Sequence, residues 1–225
     1  ATTKVKRKLI QIAANLLNTP ADELVMKDGK VFHDSSPEKS ISLKRLIGTV
    51  HWNPEALPEG VESGIHETAY FSLPTAKAPT EFDTVNGSVT YGFVFDCVQV
   101  EVDIDTGEVK ILDYFTVHDA GRLLNPKIVN GQILGGLLHG IGATMYEDLV
   151  YDKQGQLLTG SFMDYIVPTA TEMPKVTIKH IETPSPLTPL GAKGLGEGNT
   201  MSAPAAISNA VTDALKPFGV SIDKL

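Results

Sequence analysis

The apolar segment at 126–148 constrains the fold most, because it has the length of a long helix and yet is rich in glycine. Its glycines are Gly131, Gly135, Gly136, Gly140 and Gly142. Pro126 favours a helical start, but each glycine inside a helix costs up to about 1 kcal/mol relative to alanine. A helix here therefore needs the close approach of another backbone or of a ligand, or tight packing on a sheet.

The clearest β-strand pattern covers residues 86–118, where β-branched and aromatic residues flank the turn Asp-Thr-Gly-Glu. This pattern predicts a long antiparallel hairpin. Residues 147–151 and 156–160 predict a second hairpin, and residues 175–183 predict a further strand. Since strands and helices are interleaved without a regular strand–helix–strand rhythm, we expect an α+β fold with mixed, mostly antiparallel strands.

The beginning of the chain predicts a separate set of short elements. Apolar residues at helical spacing indicate a helix over 2–17. Asp28-Gly29 between two apolar runs predicts a tight hairpin, and Ser42 has the character of an N-cap for a helix through Val50.

A loop at 51–66 is rich in Pro, Gly and Glu and has no periodicity. Such a stretch is the best candidate for a boundary between two structural units. We therefore predict a small N-terminal α+β segment at 1–60 and a larger domain, which carries the functional site, at 61–225.

Composition excludes several classes of function. A formal net charge of −8 argues against binding to a nucleic-acid backbone. No apolar run reaches the roughly 18 residues of a membrane span, and no signal peptide is visible, so we expect a cytoplasmic protein. Cys97 is the single cysteine and is expected to be buried. His118 is expected to be a structural residue at a strand end, and His66 and His180 lack metal-ligand spacing. We therefore expect no metal site made of protein side chains.

The glycine loop at 191–198 is the most unusual segment, because it holds Glu197 among four glycines just before a predicted helix. The helix is expected to be capped by Asn199 or Thr200 and to run through Leu215. Glycines let backbone amides approach a ligand, and a helix start favours anionic groups. A carboxylate in a glycine-lined apolar pocket is suited to act as a general base. The alternative interpretation is that the loop is a surface turn and Glu197 is simply exposed.

Four ordered motifs carry a resemblance to a known family. GAKGLGEG precedes a helix of small residues, and GQILGGLLHGIG follows an Asn-Pro pair. Two further segments match the same family in residue type and order, FDCVQVEVDIDTGEVKI and LTGSFMDYIVPTA. Over about residues 2–220 the chain resembles the C-terminal part of the molybdenum-binding subunit of the xanthine oxidase, aldehyde oxidase and carbon monoxide dehydrogenase family.

The resemblance implies roles for individual residues. Glu197 aligns with the active-site base, which takes a proton from a molybdenum-bound hydroxyl before that oxygen attacks the substrate. Tyr91 and Gly92 align with the substrate pocket. The positions that align with cofactor contacts are Gly131, Gln132, Lys193, Gly194 and Gly196.

The resemblance also implies cofactors and partners. It implies molybdopterin, as the cytosine dinucleotide, with molybdenum, and 2Fe–2S clusters and FAD on partner subunits. The implied partners are an N-terminal molybdenum-subunit chain, an iron–sulfur subunit and an FAD subunit. The implied reaction oxidises an N-heteroaromatic or aldehyde substrate with water-derived oxygen. The alternatives are a carbon monoxide dehydrogenase-type subunit and a non-catalytic anion- or cofactor-binding module.

Overall fold

The structure is a computed structural model that describes residues 1–222 apart from residues 74, 86 and 89. The chain divides into two compact units, Ala1–Ser72 and Leu73–Leu225. The division lies after Ser72, whereas the sequence pattern placed it after residue 60. The difference has a physical cause, since Val61 and Ile65 pack against the apolar core of the N-terminal unit.

The N-terminal unit combines two helices with a three-stranded antiparallel sheet. Its elements are α1 (Thr2–Leu17), β1 (Leu24–Lys27), β2 (Lys30–His33), β3 (Ser36–Ser42) and α2 (Leu43–Trp52). The core of this unit consists of Leu9, Ile12, Ala13, Leu24, Val31, Leu46 and Val50. Both helices and the first hairpin agree with the sequence pattern.

Two details of the N-terminal unit test the local sequence signals. The hydroxyl of Ser42 accepts a hydrogen bond from the backbone N–H of Arg45 at 3.2 Å, as expected for an N-cap. Strand β3 was not anticipated, because its sequence SPEKSIS is polar and lacks an apolar alternation. It forms by pairing with β2.

The larger unit contains a mixed sheet with the order β4-β5-β6. Strands β4 (Phe93–Val102) and β5 (Val109–Asp119) form the predicted long antiparallel hairpin. Residues 86 and 89 of that prediction lie outside the described residues. Strand β6 (Lys175–His180) pairs in parallel with β5, so that His118 lies beside His180.

Strand β4 has one partly buried face and one exposed face. Val98 and Val100 pack towards the apolar core of the larger unit, while the alternate positions point outward. Cys97 is one of the outward positions and is exposed, so the prediction of a buried cysteine was wrong. The strand period of two determines this outcome, because Cys97 cannot share a face with Val98.

The second predicted hairpin does not form two strands. Tyr151 and Leu157 make a single antiparallel bridge. The side chain of Asp152 accepts hydrogen bonds from the backbone of the turn, and the N–H of Val150 donates to the hydroxyl of Thr159 at 3.1 Å. Two backbone hydrogen bonds, from the N–H of Asp152 to Gln156 and from the N–H of Leu158 to Val150, also join the two arms. The predicted hairpin therefore forms in part, without extended strands.

Two helices complete the larger unit, α3 (Pro126–Met145) and α4 (Gly198–Leu215). Asn125 caps α3 by accepting from the N–H of Ile128 at 3.2 Å. Helix α4 packs on β4 and against α3, and the shared core consists of Tyr114, Leu137, Ile141, Ala203, Ile207 and Val211. Among the residues described, no helix is long and apolar enough to cross a membrane.

The approach of α4 explains only part of the glycine pattern of α3. A Cβ atom at Gly140 would lie 2.6 Å from the carbonyl oxygen of Asn199 and 2.7 Å from the Cβ of Ala203. Gly131 and Gly135 have nothing within 4 Å of such an atom. One part of the glycine pattern therefore serves helix–helix contact, and another part leaves open space beside α3.

Candidate active site

A cleft of about 700 Å³ lies in the larger unit, between the beginning of β4 and the glycine loop. It brings together five of the residues singled out in the sequence, Tyr91, Gly92, Gly194, Gly196 and Glu197. Its other lining residues are Thr90, Phe93, Val94, His118, Asp119, Leu195, Gly198, Met201 and Ser202. Gly131, Gln132 and Lys193 do not line it.

Glu197 occupies the N-cap position of α4. Its backbone carbonyl accepts from the N–H of Met201 at 3.2 Å, while its side chain makes no capping hydrogen bond. The residue is exposed, so within this chain the carboxylate is not enclosed in the apolar pocket that the sequence suggested. The predicted side-chain caps are also absent, because Asn199 is buried and Thr200 donates to the carbonyl of Gly136 at 3.1 Å.

Gln132 reaches the glycine loop from α3. Its side-chain amide donates to the backbone carbonyl of Gly196 at 2.9 Å. A cofactor contact was predicted for each of these two residues, and here they also contact one another. The hydrogen bond constrains the backbone immediately before Glu197.

The beginning of β4 also lies against the glycine loop. A Cβ atom at Gly92 would overlap the carbonyl oxygen of Gly194 and lie 3.3 Å from that of Asp119. Only glycine allows the two backbones to approach this closely. The wall formed by Tyr91 and Gly92 and the loop that carries Glu197 are thereby held at a fixed separation.

Lys193 is engaged inside the protein. Its ammonium group lies 3.0 Å from a carboxylate oxygen of Asp119 and 2.5 Å from the hydroxyl of Thr183, and 5.8 Å from the centroid of the Phe93 ring. The side chains of Lys193 and Asp119 are each 11% exposed. This ion pair ties the glycine loop to the end of β5.

The carboxylate of Asp119 also accepts hydrogen bonds from Thr183 and from the backbone of Gly121. Desolvation acts to raise the pKa of Asp119, but the bonds from Thr183, Gly121 and Lys193 outweigh it and hold the pKa well below its ordinary value. Asp119 therefore stays charged and keeps the loop attached over the physiological pH range.

The start of the glycine loop is secured by backbone contacts. The carbonyl of Gly191 accepts from the N–H groups of Arg122 and Ser185, each at 3.0 Å, and the N–H of Lys193 donates to Ala120 at 2.8 Å. Gly191 has a φ of 73°, a conformation that glycine adopts readily.

A buried polar cluster behind the cleft was not found from the sequence. It consists of Asp96, Tyr114, Thr116, His118, Asn199 and Ser202, and it joins β4, β5 and α4 through side-chain hydrogen bonds. One signal could have revealed it. Asp96 lies between Val94 and Val98 on the inward face of β4, and an inward acidic residue needs buried hydrogen-bond donors.

The ionisation of two cluster members is shifted. Burial lowers the pKa of His118, and this effect exceeds the opposing influence of Asn199 and of the charge of Asp96. Burial also raises the pKa of Tyr114, and Asp96 adds to that shift through its charge and its hydrogen bond. At neutral pH the histidine is therefore uncharged and the tyrosine keeps its proton.

Within the described residues, no group of three or more His, Cys, Asp or Glu side chains is arranged to hold a metal ion. The lining residues that can act chemically are Glu197, His118 and the hydroxyl-bearing Thr90, Tyr91 and Ser202. The carboxylate of Asp119, which also lines the cleft, is engaged by Lys193 and Thr183. Among these residues, Glu197 lines the cleft and its side chain makes no capping bond to its own helix.

Comparison with known proteins places these features in a family. Residues 1–174 match the model of the molybdopterin cofactor-binding domain. The chain is 40% identical over 219 residues to the nicotine 6-hydroxylase large subunit of Paenarthrobacter nicotinovorans, which covers 97% of this chain and 25% of that subunit. It is 34% identical over 215 residues to the carbon monoxide dehydrogenase large chain of Afipia carboxidovorans, which covers 95% of this chain and 24% of that one.

A solved structure shows the same architecture. The crystal structure of quinoline 2-oxidoreductase from Pseudomonas putida 86 superposes with a TM-score of 0.73 at 34% identity, covering 99% of this chain and 27% of that one. The chain thus spans about a quarter of the length of the relatives that it matches.

Proposed function

Since this chain belongs to the molybdenum-binding subunits of the xanthine oxidase, aldehyde oxidase and carbon monoxide dehydrogenase family, we propose that it forms the base-bearing part of a molybdenum hydroxylase. The family members that it matches are molybdenum-dependent oxidoreductases. The proposed reaction converts a substrate C–H bond and one water molecule into a C–OH group, two protons and two electrons.

The observation that carries this proposal is the placement of Glu197. Glu197 lines the cleft at the N-cap of α4 and is exposed, and the carbonyl of the preceding Gly196 is held by Gln132 from α3. A general base must be able to reach the proton that it removes and must not be occupied by a strong internal partner. We assign Glu197 the uptake of the proton from the water-derived oxygen nucleophile.

The residues around the loop fit a large cofactor. Nothing lies within 4 Å of a Cβ atom built at Gly131, Gly194 or Gly196, so the backbone is open to a ligand at all three positions. Gln132 donates one amide hydrogen to Gly196 and has further hydrogen-bonding capacity. These four residues would hold the molybdopterin, proposed as the cytosine dinucleotide form. When bound, this cofactor supplies the two-electron oxidation of the substrate.

The proposed role of Lys193 differs from that of the other loop residues. It was expected to contact the cofactor directly, but its ammonium group is bound by Asp119 and Thr183. We propose that it supports the cofactor loop from behind.

The substrate is proposed to be an N-heteroaromatic compound or an aldehyde. Tyr91, Phe93, Leu195 and Met201 line the cleft and provide flat or flexible apolar surfaces beside Glu197. Such surfaces suit a planar aromatic ring. Two of the similar proteins are named for nicotine and quinoline, both of which contain nitrogen heterocycles. Carbon monoxide is the second candidate substrate, because a carbon monoxide dehydrogenase large chain is also 34% identical.

The two electrons must leave the site, and we propose that they pass to 2Fe–2S clusters and FAD on partner subunits. An N-terminal molybdenum-subunit chain, an iron–sulfur subunit and an FAD subunit are the proposed partners. In support, the relatives are several times longer than this chain and are named as large or gamma subunits.

The test compares Glu197→Gln with Glu101→Gln in the purified complex that contains this chain. Glu101 is exposed on β4 and serves as the control. Turnover of a pyridine, an aldehyde and carbon monoxide is measured together with molybdenum, iron and released pterin nucleotide. Loss of a general base is expected to lower kcat about 10²- to 10⁴-fold at unchanged molybdenum content.

Each outcome of this test has a definite meaning. Full turnover by the Glu197→Gln complex would refute the assignment of the base. A functional wild-type complex without molybdenum or pterin would refute the hydroxylase and favour the non-catalytic anion- or cofactor-binding module.

A further inference from the structure

The buried cluster beside the cleft contains one residue, Asn199, whose amide nitrogen and amide oxygen are both engaged. Asn199 is 2% exposed, and its amide nitrogen donates to Asp96 and to Thr116, each at 3.1 Å. Its amide oxygen lies 2.6 Å from Nε2 of His118. All three hydrogen-bonding functions of this side chain are therefore engaged by β4 and β5.

The direction of the bond between His118 and Asn199 follows from chemistry. The nitrogen of the Asn199 amide must face the Asp96 carboxylate, which accepts, so the amide oxygen must face His118. Nε2 of His118 therefore carries a hydrogen and donates it. His118 is 2% exposed and is held in a single tautomer by this contact.

The ring of His118 also lies close to the beginning of α4, leaving no room for a side chain at Gly198. A Cβ atom at Gly198 would lie 3.3 Å from Cε1 of His118 and 2.7 Å from Cγ2 of Val94. The first residue of the helix is thus packed against β4 and β5. This residue follows Glu197 immediately in the chain.

The backbone on the other side of Glu197 is held as well. The carbonyl of Gly196 accepts from Gln132, as described above. Glu197 is therefore exposed, with no side-chain cap, between two neighbours that are both fixed by side chains from other elements. Such an arrangement fixes the point from which the carboxylate extends.

We infer that His118 and Asn199 are positioning residues for Glu197, and that they act by fastening the first turn of α4 to β4 and β5. This inference rests on the proposed role of Glu197 as the base. Neither residue touches the reacting atoms in this assignment. Their effect on the reaction is geometric, and a displacement of about 1 Å at a reacting group can cost about 10²-fold in rate.

Two substitutions of His118 separate this role from simple packing. In His118→Gln the terminal amide nitrogen can take the place of Nε2 and donate to Asn199. In His118→Asn the side chain is too short to reach Asn199. Val211→Ala is the matched control, since Val211 is buried in the same helix but lies three turns beyond Asn199.

The experiment uses the purified holoenzyme complex carrying each variant. For each one, kcat per bound molybdenum, KM, the thermal midpoint and amide hydrogen exchange of the peptide at 192–200 are measured. We expect His118→Asn to lower kcat per molybdenum at least about tenfold, to change KM less than about threefold, and to speed exchange at 192–200. His118→Gln is expected to restore kcat to within about threefold of the wild type, while Val211→Ala lowers the thermal midpoint and leaves kcat per molybdenum unchanged.

A purely structural role gives a different result. If His118→Asn lowers only the thermal midpoint and keeps the wild-type kcat per molybdenum and exchange rate, the inference is overturned. Glu197→Gln is measured in parallel to separate the positioning role of His118 from the role of Glu197 as the base. An inactive Glu197→Gln complex beside an unaffected His118→Asn complex refutes the positioning role alone, whereas an active Glu197→Gln complex refutes the assignment of the base.

Discussion

The side-chain amide of Gln132 donates to the backbone carbonyl of Gly196 at 2.9 Å, although the two residues lie 64 positions apart in the sequence. The contact links the exposed face of α3 to the loop that carries Glu197. It gives Gln132 a structural role in addition to the cofactor contact proposed for it.

Substitution of Gln132 by leucine is expected to loosen the glycine loop. A lost hydrogen bond of this kind contributes about 0.5–1.5 kcal/mol, so a local opening of the loop should become about 2- to 10-fold more frequent. Amide hydrogen exchange of residues 194–198 measures this change. Gln154→Leu, at an exposed turn, is the control and should leave the exchange of the loop unaltered. Equal exchange in Gln132→Leu and the wild type would show that the contact does not restrain the loop.

Replacement of the two kinds of glycine in α3 by alanine should change the free energy of unfolding in opposite directions. Gly140→Ala places a methyl group 2.6 Å from the carbonyl oxygen of Asn199, so α3 and α4 must separate. Overpacking of this kind costs about 1–3 kcal/mol. Gly135→Ala meets no atom within 4 Å and should stabilise the helix by up to about 1 kcal/mol. Urea unfolding of both variants checks the prediction, and a stable Gly140→Ala protein would contradict the close approach of the helices.

Gly92→Ala is expected to displace the glycine loop. The new methyl group would overlap the carbonyl oxygen of Gly194, which is backbone and cannot move aside like a flexible side chain. We expect a loss of stability of about 1–3 kcal/mol and reduced binding of the molybdenum cofactor. Gly160→Ala serves as the control, because its methyl group would approach no atom more closely than 4.0 Å. Unfolding midpoints and molybdenum content are the measurements, and wild-type values for both in Gly92→Ala would contradict the geometry.

Asp119→Asn should weaken the attachment of the loop in a pH-dependent manner. The pKa of Asp119 is lowered in the folded protein, so its contribution to stability is complete above the unfolded-state pKa of about 3.9. The contribution is lost as pH falls through that value towards the lower folded-state pKa. Hydrogen bonds to a charged group contribute about 1.5–3 kcal/mol. We therefore expect Asp119→Asn to lower the free energy of unfolding by about this amount at neutral pH.

Unfolding free energies of the wild type and Asp119→Asn, measured from pH 8 to pH 2.5, test this prediction. The difference between the two proteins should be constant down to about pH 5 and should shrink below about pH 4. Asp105→Asn, in the exposed turn between β4 and β5, is the control for removal of a carboxylate. A difference that stays constant to pH 2.5 would show that the charge of Asp119 is not what stabilises the loop.

Local patterns in the sequence were sufficient for most elements of the fold. The β4–β5 hairpin, the helices and the cap at Ser42 depend on backbone periods and on contacts a few residues apart, which the sequence displays directly. The hairpin around residues 152–155 formed only in part, because its alternation was short and its arms share only a few backbone hydrogen bonds. The glycine loop and its glutamate were recognisable because their residue types are unusual in combination.

The tertiary structure decided what the local patterns could not. The partners of Asn199 lie 81, 83 and 103 positions away, at His118, Thr116 and Asp96, and no local period encodes such pairings. Exposure followed the same rule, since Cys97 is set outward by the packing of its neighbours on the helices. The sequence by itself determined most of the elements, the family and the glycine loop that carries Glu197. Only the packing of distant strands and helices decided which buried side chains hold that glutamate in place, because hydrogen bonds and close contacts depend on distance in space.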